Sequence, residues 1–205
     1  MACLSADLLN EALEGRGDVA IVGGIPAPQI VERTDAFRRA LRERYTGLRV
    51  VAEVENPTDD AAGAQAAVAA LLRAHPEITG ILTYNDASAI GAADAVQAAG
   101  RSDVTIVGCN GEPESLDAIR SGRIAGTVER HPIELGRRAA DLILDVLDGA
   151  LAREHAPRRV SAEPERVTAS NVDQFKPWPD RTPQPDWPRT CQFLDLLQGG
   201  TTPAG

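Results

Sequence analysis

The sequence predicts an α/β protein built on a doubly wound parallel sheet. Three observations carry that prediction. Short apolar runs bounded by glycine recur along the chain, each is followed by a longer stretch with apolar residues three or four apart, and helix-starting residues stand at the junctions. The opening MACLSADLLNEALEG reads as an amphipathic helix with Leu4, Leu8, Leu9 and Leu13 on one side and a stop at Gly15 to Gly17. Strands are expected at 18–24 (DVAIVGG), 48–54 (LRVVAEV), 80–84 (GILTY), 104–109 (VTIVGC) and 125–129 (AGTVE). Helices are expected over 28–45, 58–74, 86–99, 113–121 and 133–148. Thr58 with Asp59 and Asp60 makes a capping start for one helix, and Pro113 after Glu112 suits the first position of another.

Composition narrows the function. With 205 residues, 43% of them hydrophobic, the chain can bury a substantial core. A formal charge of −9 argues against a nucleic-acid partner, which would need a basic face. Cys3, Cys109 and Cys191 are odd in number and widely spaced, so neither a disulfide framework nor a metal site is expected. No apolar run is long enough to span a bilayer, and the N-terminus lacks a charged segment followed by an apolar one, so the chain as written is expected to be soluble and cytoplasmic. From Pro157 onward the last 49 residues hold eight of the 14 prolines and both tryptophans, and 176–205 is expected to be a disordered tail.

The motifs of cofactor and catalytic chemistry are missing. The turn after the first strand, GGIPAP, lacks the GxGxxG spacing and places Pro26 and Pro28 where backbone donors would hold a pyrophosphate, so no dinucleotide or other cofactor is expected. There is no phosphate loop, no nucleophile elbow and no HExxH, and His75, His131 and His155 are far apart. Cys109, ending a strand near a helix start, is the one candidate nucleophile, with no histidine evidently placed as its base. What remains is polar. Arg33 lies one helical turn past the first strand, Asn85 and Asp86 follow the third, Asn110 and Glu112 the fourth, and Arg130 the fifth. Open α/β sheets bind ligands at these carboxyl ends, and a polyhydroxylated ligand needs several converging donors and acceptors.

The stretches AFRRAL, LLRAHPEITGILTYNDASAIGAADAVQAAG, DVTIVGCNGEPESLDAIRSGRIAGTVERHPIELGRRAADLIL and VTASNVDQF resemble, in order, the C-terminal portion of sugar-binding proteins of bacterial ABC transporters. These have the type I periplasmic-binding fold of the ribose-binding kind, in which two α/β lobes hold a sugar between them. The resemblance covers about residues 4 to 175. It implies a C-terminal-type lobe over 1–130, a crossover helix and strand of an otherwise missing N-terminal lobe over 131–163, and a returning strand over 164–175. It implies that Arg33, Asn85, Asn110 and Arg130 are the cleft positions, with Asn85 bonding sugar hydroxyls and Asp86 capping the following helix. Partners would be a sugar and the membrane subunits of the transporter, and the location periplasmic.

The departures from that family shape further expectations. Position 110 is commonly Asp in the family, position 130 is Gln in ribose-type members, and the aromatic that stacks on the sugar is replaced by NPTDDAA. Arg130 leaves room for a ligand with an acidic group. Absence of the other lobe implies an N-terminally truncated product that binds free pentoses and hexoses negligibly. It also implies an orphan helix at 133–148, whose Ala140, Ile143, Leu144 and Leu147 would drive self-association. The alternatives are the effector-binding domain of a repressor or, less in keeping with the motifs, an enzyme.

Overall fold

The computed structural model describes residues 1–181, in which a six-stranded sheet is flanked by helices on both faces. The elements in chain order are α1 (Ala2–Ala12), β1 (Gly17–Gly23), α2 (Pro28–Arg44), β2 (Leu48–Glu55), α3 (Ala61–Ala74), β3 (Gly80–Thr83), α4 (Asp86–Ala98), β4 (Thr105–Val107), α5 (Pro113–Arg120), β5 (Gly126–Glu129), α6 (Pro132–Leu147), β6 (Glu165–Thr168) and the one-turn α7 (Trp178–Arg181). Strand order is β2-β1-β3-β4-β5-β6. The first five strands run parallel, and β6 is antiparallel to β5, with Gly126 opposite Thr168 and Glu129 opposite Glu165. The sheet is therefore mixed at one edge, a common way to finish a doubly wound sheet.

Alternation along the strands sorts the core into two layers. Ala20, Val22, Ile81 and Ile106 face Val68, Leu71, Ala92, Val96, Leu116 and Ile119 of α3, α4 and α5. Val19, Ile21, Leu82 and Val107 face Leu8 and Leu9 of α1 and Phe37 and Leu41 of α2. Covering both faces explains why these strands read as unbroken apolar runs. Each fully buried Leu, Ile or Phe contributes about 1.5–3 kcal/mol. Between α3 and α4 the backbones come close: a Cβ on Gly91 would overlap the Ala61 carbonyl oxygen and crowd Ala64 and Gln65. Glycine at this helix position is a packing requirement.

Local boundaries differ from the periodicity reading for local reasons. Helix α3 starts at Ala61, later than residue 58, because Asp59 has a left-handed φ of 57° and Asp60 is the cap, its side chain accepting from Gly63 N at 2.7 Å. Thr58 Oγ1 donates to Asp60 Oδ1 at 2.8 Å, supporting the cap without being it. Strand β4 has three residues where six are expected, since the chain turns at Gly108 to Asn110, where φ of Asn110 is 138°.

The chain divides into two compact units. One comprises Met1–His131 with Glu163–Pro177 and holds the sheet; the other comprises, among the described residues, Pro132–Ala162 with Trp178–Arg181. In the second unit α6 carries an ion-pair ladder, Arg137 bonding Glu134 and Asp141 and Arg138 bonding Glu134. Ile143 and Leu147 are each 48% exposed, whereas Leu144 is buried. The exposed apolar stripe is thus narrower than the periodicity implies, because Leu144 lies about 100° round the helix from Ile143. Of the segment read as a disordered tail, Trp178–Arg181 forms a single helical turn and 182–205, with Trp187 and Cys191, lies outside the described residues. Among the described residues no helix is long and apolar enough to cross a membrane.

Candidate functional site

Five parallel strands end at one edge of the sheet, at Gly23, Glu55, Thr83, Val107 and Glu129. Strand order reverses between β1 and β3: from β1 the chain moves outward to β2, then crosses back to β3 and continues the other way. Adjacent loops diverge at such a switch point and leave a crevice where open α/β sheets hold ligands. All four candidate residues stand on this rim.

The structure brings Arg33 and Asn110 together. From the second turn of α2, Arg33 Nη1 donates to the Tyr84 carbonyl at the end of β3 and to Asn110 Oδ1 at 3.1 Å. Asn110 Nδ2 in turn donates to Glu112 Oε1 at 2.9 Å. Asn110 also bridges β5 through its backbone, donating to Val128 O at 3.0 Å and accepting from Arg130 N at 3.3 Å. Arg130 is therefore a backbone neighbour of Asn110. Its side chain is exposed and makes no hydrogen bond or ion pair among the described residues.

The cap expected of Asp86 is supplied by Asn85 instead. Asn85 is the N-cap of α4, its Oδ1 accepting from Ser88 N at 2.8 Å, while its Nδ2 donates to Asp59 Oδ1 at 2.8 Å. Asp86 does not cap: it is 1% exposed and ties three elements together. Its Oδ2 accepts from Gly111 N and Glu112 N, both at 2.7 Å, and its Oδ1 accepts from Thr127 Oγ1 at 2.6 Å. Gly108 passes so close that a Cβ there would strike Oδ1. Burial pushes the Asp86 carboxyl up to about 6, against the lowering effect of the Thr127 hydroxyl and the Glu112 backbone N–H. Asp86 thus shapes the β4–α5 turn that carries Asn110.

Two further residues belong to the rim. Asn56, fully buried just past β2, donates to Asp60 O at 2.8 Å and to Ser88 Oγ at 3.0 Å, joining the starts of α3 and α4. Its signal in the sequence was its place, an asparagine directly after a strand, as Asn85 and Asn110 nearly are. Tyr84 is 3% exposed, its ring so near Gly24 that a Cβ there would overlap it. The one aromatic at the ends of β1 and β3 is consequently packed inward, away from any stacking role. Cys109 is not a nucleophile: it is fully buried, and burial pushes its thiol up rather than toward a thiolate.

The profile of the periplasmic binding protein domain family matches residues 1–151. The chain belongs to this family. As a periplasmic binding protein domain it is 26% identical over 147 residues to the ribose import binding protein of Bacillus subtilis, 71% of this chain and 47% of that protein. It is 31% identical over 136 residues to the D-allose-binding periplasmic protein of Escherichia coli, 63% of this chain and 42% of that protein. Among solved structures, a periplasmic solute-binding protein of an ABC transporter from Actinobacillus succinogenes with bound D-allose superposes with a TM-score of 0.78 at 27% identity, covering 85% of this chain and 60% of that one. A carbohydrate transporter solute-binding protein from Agrobacterium radiobacter in complex with D-arabinose gives 0.74 at 27% identity, covering 83% and 59%. The periplasmic binding protein domain spans between 19% and 52% of the lengths of these and other curated relatives. These relatives are named as binding proteins, and with Cys109 buried the enzyme reading has no support.

Proposed function

We propose that this chain is the sugar-binding lobe of a carbohydrate solute-binding protein that serves an ABC importer, with Arg33, Asn85, Asn110 and Arg130 facing the ligand. The observation that carries the reading is the hydrogen bond from Arg33, on the helix after β1, to Asn110, past the end of β4, beside the end of β3 that carries Asn85, where amide and guanidinium groups supply donors and acceptors for a polyol. Support also comes from relatives named for ribose and allose. In this reading Asn85 and Asn110 are preorganised by Asp59, Glu112 and Arg33, so each amide offers a fixed orientation to a hydroxyl. In the same reading 131–163 is the crossover segment of the family's other lobe and 164–175 is the strand that returns from it, while the membrane subunits of the importer are the protein partners.

The test is a two-dimensional NMR titration of the full chain with D-ribose and D-allose at tens of millimolar. The side-chain amides of Asn85 and Asn110 and the backbone amide of Arg130 are expected to shift together in a saturable way. Shifts absent from all three, or spread evenly over the surface, would refute a sugar site on this rim.

A further inference from the structure

The rim carries two guanidinium groups whose charge no described carboxylate meets. Arg33 spends only Nη1, on the Tyr84 carbonyl and the Asn110 amide oxygen, both neutral acceptors. Its Nε and Nη2 donors make no hydrogen bond among the described residues. Arg130 spends none of its side-chain donors there. Both approach the same residue, Arg33 through the Asn110 side chain and Arg130 through its backbone bond to Asn110 O. Arg101 and Arg120 also donate to backbone carbonyls, but each pairs with a carboxylate as well, Arg101 with Asp103 and Arg120 with Asp117 and Asp173, and Arg38, Arg49, Arg123 and Arg166 pair with Glu53, Asp18, Asp94 and Glu11.

Asp59, Asp86, Glu112 and Glu129 stand in the loops and strand ends around this rim, and each is already engaged. Asp86 and Glu129 are buried, the first taken by Gly111, Glu112 and Thr127 and the second accepting from His131 N at 3.0 Å. Asp59 accepts from Asn85. Glu112 accepts from Asn110 through Oε1 and forms no ion pair with either arginine, which leaves Oε2 to take a ligand hydroxyl.

Resting on the sugar-site reading above, we propose that the ligand is an anionic sugar derivative, whose carboxylate or phosphate group sits against Arg33 and Arg130 while its hydroxyls reach Asn85, Asn110 and Glu112. A planar guanidinium with its Nε and Nη2 edge unspent matches the paired oxygens of such a group, and charge-assisted hydrogen bonds are about twice as strong as neutral ones. A neutral sugar would leave both charges on the rim unanswered.

The experiment compares D-ribose with D-ribonate and D-ribose 5-phosphate, and D-galactose with D-galacturonate, by the same NMR titration of the full chain at fixed ionic strength. At least one anionic form is expected to bind about tenfold more tightly than its neutral parent, with the Arg33 and Arg130 resonances moving along with Asn85 and Asn110. Preference for ribonate or galacturonate identifies a carboxylate ligand, and preference for ribose 5-phosphate a phosphorylated one. Arg130→Gln, at an exposed position, should weaken the anionic form more than the parent, and Arg33→Lys, which keeps charge but loses the fork, should do the same in lesser degree. Equal affinity for neutral and anionic forms at Asn85 and Asn110 would overturn the anionic-ligand inference and leave the sugar site standing. No response from the rim to any of these compounds would remove both. Inorganic phosphate binding as tightly as ribose 5-phosphate would also overturn the inference, since the sugar would then contribute nothing.

Discussion

At the residue scale the rim is governed by Asp86, an almost fully buried carboxyl group that holds the turn presenting Asn110. Truncation to Ala would strand the backbone N–H groups of Gly111 and Glu112 in a dry site, at a cost of about 1–3 kcal/mol. Asn in its place keeps one oxygen for those two donors and turns its NH2 toward the Thr127 hydroxyl, which can accept. Asp86→Ala should therefore lower the melting temperature, with Asp86→Asn restoring most of the loss. The pH dependence has a definite sign. The folded-state value of Asp86 is raised from its ordinary 3.8 to about 6, so folding takes up a proton between those values. Its contribution to stability is fully present below about 3.8 and lost as pH rises through about 6. Urea titrations at several pH values should show the native protein losing stability relative to Asp86→Asn between pH 4 and 7; parallel curves would contradict this assignment.

At the element scale the pairing of α3 with α4 fixes the two loops that carry Asp59 and Asn85. That pairing depends on Gly91, opposite the Ala61 carbonyl, which is backbone and cannot swing aside. Two effects oppose each other in Gly91→Ala. Helix propensity favours Ala by about 1 kcal/mol. Overpacking costs about 1–3 kcal/mol, because one helix must move away from the other. The second effect wins, so Gly91→Ala should destabilise the protein and broaden the Asn85 and Asn56 side-chain amide signals, whose bonds to Asp59 and Ser88 span the two helices. An unchanged melting temperature with sharp amide signals would show that the helices yield without cost.

At the scale of the whole molecule, the exposed face of α6 matters more than its length. Ile143 and Leu147 stand one turn apart and half exposed, and burying them is worth about 1.5–3 kcal/mol per side chain. A second copy of the chain is one way to cover them, since a symmetric contact uses the same patch twice. On that reading Ile143→Glu with Leu147→Glu yields a smaller sedimenting species with unchanged circular dichroism, whereas Leu144→Glu would place a charge at a buried position and damage the fold. Sedimentation of the unaltered chain as a monomer at tens of micromolar would dispose of self-association through this face.

The sequence by itself determined the alternation of strands and helices, the apolar faces of those helices and the strand ends where polar residues cluster. These follow from periods of two and 3.6 and from glycine and proline, all of which act over a few neighbouring residues. It also placed Arg33, Asn85, Asn110 and Arg130 on one rim, because successive parallel strands must end on the same side. The tertiary structure decided what each polar group does. Asn85 and Asp86 are adjacent and chemically similar, yet one caps its own helix and the other bonds to Thr127, 41 residues away. Likewise Arg33 meets Asn110 across 77 residues, while the side chain of Arg130 makes no hydrogen bond or ion pair among the described residues. No local pattern records such partners, since a hydrogen bond forms according to which loop ends the fold brings within about 3 Å of one another, and that depends on the order of the strands.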